Sequence, residues 1–264
     1  MGFDRNDIKE HISAVKEYWE SVAKTQEGDA TSWSDSYMLR LEENAIISET
    51  SHVGRILDVG CGVGRTLFLI LQNRPKLFGV GIDCTEDFIS KAKERVIELE
   101  LSKRSEFHVS DLINSDLTDL GLFNTIISER FLINLPDEST QFQVLDNLIH
   151  RLDIGGKVLI VEATKEGLSC INLLRNEYGL DSLNSPWFNR YISIENLQNR
   201  FSDCVRIEVQ EFASSYFLIT RFLKEILGSN RLADPLAPTN YLGHLLPNVG
   251  NFGVHKLIIF TKVN

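Results

Sequence analysis

The sequence predicts an α/β fold, a doubly wound and mostly parallel sheet with helices on both faces, and three observations predict it. Short apolar runs alternate with segments of helical periodicity. The first run, RILDV at 55–59, breaks into glycines at 60, 62 and 64, and aspartates stand at or near the ends of the first three runs, at 58, 83 and 111. Repeated strand–helix–strand units close right-handed and merge into a single sheet. At 264 residues, 43% hydrophobic and 24% charged, the chain suits one large α/β domain or one with an elaborated cap.

Each element has its own signal. RTLFLILQNRP carries apolar residues at helical spacing until Pro75 closes it. LFGVGID at 77–83 is the second strand, and Thr85 can cap a helix over EDFISKAKERVIEL. SEFHVSDL at 105–112 is the third strand and FNTIISER at 123–130 the fourth. Pro136 and Asp137 supply the start of the next helix. GGKVLIVEAT at 155–164 is the fifth strand. Residues 165–192 then break the rhythm, being polar and aromatic and too long for a plain loop. A helix near SIENLQNRF, a strand near CVRIEVQEF, a helix at YFLITRFLKEIL, an irregular stretch with three prolines and a last strand at VHKLIIFTKV complete the chain.

Charge and cysteine usage narrow the function. A net charge of -10 with no block of Lys or Arg disfavours a nucleic-acid partner, which is gripped through many phosphates. The four cysteines are widely separated with no C-x-x-C pair, as expected of reduced thiols in a cytoplasmic protein. MGFDRNDIKEHISAVKEYWE reads as an amphipathic helix without the apolar core of a signal peptide, and no window approaches a membrane span, so no membrane partner is expected.

In such a sheet, ligands bind outside the carboxyl ends of the strands. Gly60, Gly62 and Gly64 leave the first turn bare, so that a ligand can lie against backbone N–H groups and a helix N-terminus. Their spacing is not the G-x-G-x-x-G of a nicotinamide-binding turn. Asp83, nineteen residues beyond Gly64, can accept hydrogen bonds from both hydroxyls of a ribose. Asp111 is placed to receive an exocyclic amine, with the Leu112 N–H available to a ring nitrogen. Adenosine is the natural fit.

These residues resemble the class I S-adenosylmethionine-dependent methyltransferases. LDVGCGVG is similar to their first motif, GVGID to the segment with the ribose-binding acid, VSDL to the adenine-binding segment and DIGGKVLIVE to the entry into the fifth strand, together covering residues 53–164. More weakly, SERFLINLPD, INLLRNEYGL, SPWFNRY and LPNVGNFGVHK resemble a subgroup of small-molecule methyltransferases associated with surface-glycan or natural-product pathways. The resemblance implies a Rossmann-like, seven-stranded sheet with its last strand antiparallel, S-adenosylmethionine as cofactor with S-adenosylhomocysteine as product, and methyl transfer to a small polar acceptor. A hydroxyl of a sugar, a nucleotide-linked sugar or a natural-product intermediate is the leading acceptor. A nitrogen acceptor, or a non-catalytic cofactor-binding protein, is the alternative. Phe188 stands where the subgroup pattern has a histidine, so a histidine base there does not transfer.

Residues 1–52 are read as a helical cap and 53–264 as the methyltransferase domain, with 165–192 as a substrate lid. Asp58, Cys61, Cys84 and Ser128 join the glycines and Asp83, Asp111 and Leu112 as cofactor-side candidates, Asp58 also as a cap of the turn and Cys61 also as a packing residue. Arg40 can pair with the methionyl carboxylate or lie on a helix surface. Glu129 and Glu162, at the tips of strands four and five, are candidate bases; Glu129 can instead hold the cofactor's amino group, and Glu162 can be a structural acid. Trp19, Arg130, Asn172, Arg175, Trp187, Asn189 and Tyr191 are candidate acceptor contacts, with packing as the competing role of Trp187. No Asp, Glu and His cluster near the strand tips has ligand-like spacing, so no metal is expected, and the chain is expected as a monomer or homodimer.

Overall fold

The apolar runs become a seven-stranded sheet: β1 (Val53–Val59), β2 (Lys76–Asp83), β3 (Ser105–Val109), β4 (Phe123–Glu129), β5 (Leu152–Ala163), β6 (Val205–Gln210) and β7 (His255–Lys262). The computed structural model describes residues 5–25, 35–115, 117–228 and 237–263. Strand order is β3-β2-β1-β4-β5-β7-β6. All neighbours pair parallel except β7, which runs antiparallel to β5 and β6. The Rossmann-like sheet with a reversed last strand is therefore present.

Crossover helices α3 (Arg65–Asn73), α4 (Glu86–Glu98) and α5 (Glu138–His150) cover the two faces. Asp137 caps α5 by accepting from the Thr140 N–H at 2.8 Å, as the sequence predicts. Two helices precede the sheet, α1 (Arg5–Thr25) and α2 (Ser36–Glu49). Met38 and Ile46 of α2 are fully buried in the two main core clusters, so this helix is built into the core on which the sheet rests.

Residues 165–192 divide into helix α6 (Lys165–Glu177), capped by Thr164, and an irregular run that returns along the β4–α5 connection, where the Arg190 N–H donates to the Ile133 carbonyl. Helix α7 (Ile194–Phe201) leads to β6. Helix α8 (Ser214–Leu218) continues through a π-helical turn (Ile219–Leu223) into α9 (Lys224–Ile226). The stretch read as irregular because of its prolines contains α10 (Pro238–Leu245). Pro238 opens that helix rather than breaking it, since a first-turn residue needs no N–H partner.

Candidate active site

The glycine turn after β1 builds the floor of a cavity of about 430 Å³ at the carboxyl ends of β1, β2, β3 and β4. Gly60, Gly62 and Gly64 all hold positive φ, at 69°, 51° and 78°. A Cβ on Gly62 would meet nothing within 4 Å, so this glycine faces open space while holding a conformation side chains rarely adopt. A Cβ on Gly64 would strike Phe68 and Phe107 at 2.8 and 2.9 Å. Gly64 thus serves helix packing beneath the turn and does not line the cavity.

Asp83 ties the turn to β2. One carboxylate oxygen accepts from Gly62 N–H at 3.0 Å and the other from Thr85 N–H at 2.8 Å, while the side chain still borders the cavity. Cys61, Cys84, Asp111 and Leu112 line the same space. Burial and the neighbouring Asp58 and Asp83 push the Cys61 thiol up, which fits a packing residue rather than a nucleophile. The Asp111 carboxylate is partly engaged by the Ile113 N–H and the side-chain amide of Asn114.

Besides Asp111, three carboxyls converge on this cavity, those of Asp58, Asp83 and Glu129. Burial raises each of them, and the nearby Glu129 and Asp83 raise Asp58 further. A buried group of acids held above its ordinary range gains most from a bound cation. The sulfonium and amino group of S-adenosylmethionine supply that charge, and the bare backbone at Gly62 supplies room beside it, so the residues present fit this cofactor.

At the far end, Glu129 accepts from the Thr66 hydroxyl at 2.7 Å and stands 3.3 Å from the Arg130 guanidinium. Arg130 has φ 52°, an unusual value for a side-chain-bearing residue, and its guanidinium lies 3.0 Å from buried Glu42 of α2. Arg65, which also lines the cavity, is paired with Glu43 at 2.7 Å.

Helix α1 roofs the cavity through Ile12, Val15, Lys16 and Trp19. The 187–190 run braces it from outside. The Tyr18 and Phe188 rings stack at 4.9 Å, and His11 takes a bond from Arg190 at 3.2 Å while donating to the Asn134 carbonyl at 3.2 Å.

Several candidates fall elsewhere. Arg40 is exposed on α2 and lines no part of the cavity; the guanidinia there belong to Arg65 and Arg130. Ser128 and Glu162 are fully buried behind the lining. Glu162 accepts from the Phe131 and Leu132 N–H groups at 3.0 and 2.7 Å, which makes it a brace for the β4–α5 turn rather than a group facing a substrate. Arg175 is also buried: it donates to the Asp181 and Arg221 carbonyls and pairs with Glu225, leaving its guanidinium spent on the fold. Asn172 clamps Leu183 through two hydrogen bonds. With Asn189 and Tyr191 it borders a second cavity, of about 730 Å³, between α5 and α6, and Trp187 points outward, 57% exposed. No residue of 165–192 lines the main cavity. Sequence reasoning missed Ile12, Val15 and Lys16, for which helical spacing around Trp19 was the available signal, and it missed Arg65, Thr66 and Glu42, for which there was none.

A glycine-floored, acid-lined cavity at the switch point of this sheet defines a nucleotide-cofactor-binding α/β protein. A family model described as a methyltransferase domain matches residues 51–182, and the chain belongs to that family. Among curated relatives, phosphoethanolamine N-methyltransferase 3 of Arabidopsis thaliana is 34% identical over 108 residues, 41% of this chain and 21% of that protein. The release factor glutamine methyltransferase of Caulobacter vibrioides is 27% identical over 182 residues, 66% of this chain and 56% of that one. This chain thus spans about a fifth of the plant protein's length and just over half of the bacterial one's. Among solved structures, the N-methyltransferase NodS from Bradyrhizobium japonicum, in complex with S-adenosylhomocysteine, superposes with TM-score 0.57 at 12% identity over 95% of this chain and 99% of its own. Magnesium protoporphyrin IX methyltransferase from Synechocystis, with the same product bound, gives 0.58 at 13% identity over 96% and 99%.

Proposed function

We propose that the chain binds S-adenosylmethionine in the main cavity and transfers its methyl group to a small polar acceptor, a hydroxyl of a sugar, nucleotide-linked sugar or natural-product intermediate. The observation that carries this reading is the open face of Gly62 beside Asp83, with Asp58 and Glu129 completing an acidic wall. Asp83 would hold the ribose, Asp111 and Leu112 the adenine, and Asp58 the cationic end. When bound, the cofactor supplies a methyl group on an excellent leaving group. The chain then has to align the acceptor, exclude water and remove a proton.

Helix α1 excludes water by roofing the cavity. Glu129 is the carboxyl placed to take a proton, because it lines the cavity whereas Glu162 does not. Burial and the neighbouring Glu42 raise it to about 7, partly opposed by Arg130 and Thr66, close to where a general base works best. Arg65 and Arg130 would face carboxylate or phosphate groups of cofactor and acceptor. A nitrogen acceptor is the second reading. It is favoured by the match of 41% of this chain to a phosphoethanolamine N-methyltransferase.

Calorimetry tests the first step: S-adenosylhomocysteine should bind the protein, NAD should not, and Gly62→Val, whose side chain would fill the cavity, should abolish binding. Binding unchanged in Gly62→Val would sink the assignment. Product mass after incubation with sugar nucleotides or with phosphoethanolamine then separates the two acceptors.

A further inference from the structure

Helix α1 covers the main cavity and is tied down at three levels. Near its C-terminal end, Val22 and Ala23 pack with Val63 and Phe88, and the Ala23 carbonyl accepts from the Lys91 ammonium. Midway, Tyr18 stacks on Phe188. In the N-terminal half the tie is His11, the residue before cavity-lining Ile12.

The His11 ring is held on both sides. Nε2 stands 3.2 Å from the carbonyl oxygen of Asn134, a residue that lines the cavity, and Nδ1 stands 3.2 Å from a guanidinium nitrogen of Arg190. A carbonyl only accepts and a guanidinium only donates, so Nε2 carries the ring hydrogen and Nδ1 offers its lone pair. Both bonds together require a neutral ring. Arg190 is a fixed post: its N–H donates to the Ile133 carbonyl at 2.6 Å, its carbonyl accepts from Gln141 at 2.7 Å, and its guanidinium also donates to the Trp187 carbonyl at 2.8 Å. A proton on Nδ1 would set N–H against N–H and cation against cation. Among the described residues, Arg190 is the charged group whose field bears on the ring. The β4–α5 turn presents the uncharged Asn134 carbonyl, the returning run adds the Trp187 ring edge-on at 6.4 Å, and on α1 itself Asp7, one turn away, is exposed to water. Burial and Arg190 hold the imidazole below its ordinary 6.5.

We propose that His11 is an acid-release latch on the roof of the main cavity: neutral, it pins α1 to Asn134 and Arg190, and protonated it lets the N-terminal half of α1 lift away. The latch concerns the roof and not the chemistry beneath it, and so goes beyond the methyl-transfer reading. With the roof lifted, the ring is in water and titrates at its ordinary value; with the roof closed, it titrates lower. The open form therefore takes up the proton first, and closure is lost as pH falls from 6.5 through the lowered value. A single proton shifts the ratio of closed to open by at most about tenfold per pH unit. Acid thus opens the cavity while the sheet beneath stays folded.

The test is amide hydrogen exchange of the free, full chain from about pH 4.5 to pH 7.5, a range that brackets histidine titration, with rates corrected for the intrinsic pH dependence of exchange. Residues 12–22 report the roof, and α3, in the core, reports the fold as a whole. In the wild-type protein the protection of 12–22 relative to α3 should fall by up to about tenfold for each pH unit below 6.5. His11→Gln keeps one donor and one acceptor and cannot gain a proton, so its relative protection should be flat with pH. His11→Ala should be flat as well, and low throughout. A wild-type roof whose relative protection ignores pH overturns the proposal, as does a His11→Gln roof that still loosens in acid. Should the variants fail to fold, the wild-type profile decides by itself. Because no ligand is present, the outcome is separate from the cofactor reading: protein that fails to bind S-adenosylhomocysteine in calorimetry sinks that reading and leaves the latch standing.

Discussion

Asp83 does two things at once: it accepts from the Gly62 and Thr85 N–H groups and it borders the cavity. Asp83→Ala should therefore weaken S-adenosylhomocysteine binding by about 1.5 to 3 kcal/mol, the range for hydrogen bonds to a charged group. Calorimetry checks it, and unchanged affinity would remove the ribose role. The cofactor side was legible at this scale because a turn that must stay bare can only be written in glycine, and because the acids sit at strand ends whose position the apolar runs already reveal. The acceptor side was not. Asn172 and Arg175 share a helical face as their spacing requires, but that face packs against Leu183 and the π-helical turn, and spacing says nothing of which way a helix is rolled. Glu42 and His255 meet at 2.6 Å across 213 positions of sequence, a contact no local pattern announces.

Helix α1 is only lightly tied to the core, yet it covers the cavity through four residues, Ile12, Val15, Lys16 and Trp19. Its own satellite cluster is small, joining Trp19, Val22 and Ala23 to Val63 and Phe88. The Tyr18–Phe188 stack is its brace against the run after α6. Phe188→Ala should release it: stopped-flow dissociation of S-adenosylhomocysteine should quicken by about 2- to 13-fold, the equivalent of the 0.5 to 1.5 kcal/mol of an aromatic pair. The melting temperature of the sheet should hardly move. An unchanged dissociation rate would show that α1 does not close the site. Arg175→Ala should behave in the opposite way, costing about 1.5 to 3 kcal/mol of stability in denaturant while leaving cofactor affinity intact, because its donors hold carbonyls of the 181 and 221 segments together. Strands were legible from their apolar runs, and the helix at Pro238 was not, since a proline marks a helix start and a chain break with the same letter.

For the molecule as a whole, two buried groups pull the pH dependence of stability in opposite directions. His255 is held down to about 3 in the folded chain against 6.5 ordinarily, so the unfolded chain binds the proton first and stability is lost as pH falls through that interval. Glu162 is raised by burial to about 8 against 4.5, so the folded chain keeps a proton that the unfolded chain sheds, and stability falls as pH rises from 4.5 to 8. Thermal melts across pH should peak in the mildly acid range. His255→Gln should flatten the acid limb and Glu162→Gln the alkaline limb, each by about 1.4 kcal/mol per pH unit at most. Limbs unaltered by both substitutions would refute the assignment. The reversed β7 has a further consequence, which concerns the order in which the chain is made. Of the described strands it comes last in sequence, yet it fills the slot between β5 and β6 and is buried from His255 to Thr261. Until it arrives, β5 and β6 each present an unpaired edge, and those edges invite pairing with other chains. Until β7 is made, the β5 edge stays open to such pairing, and a chain cut off before His255 should aggregate rather than form a smaller working domain.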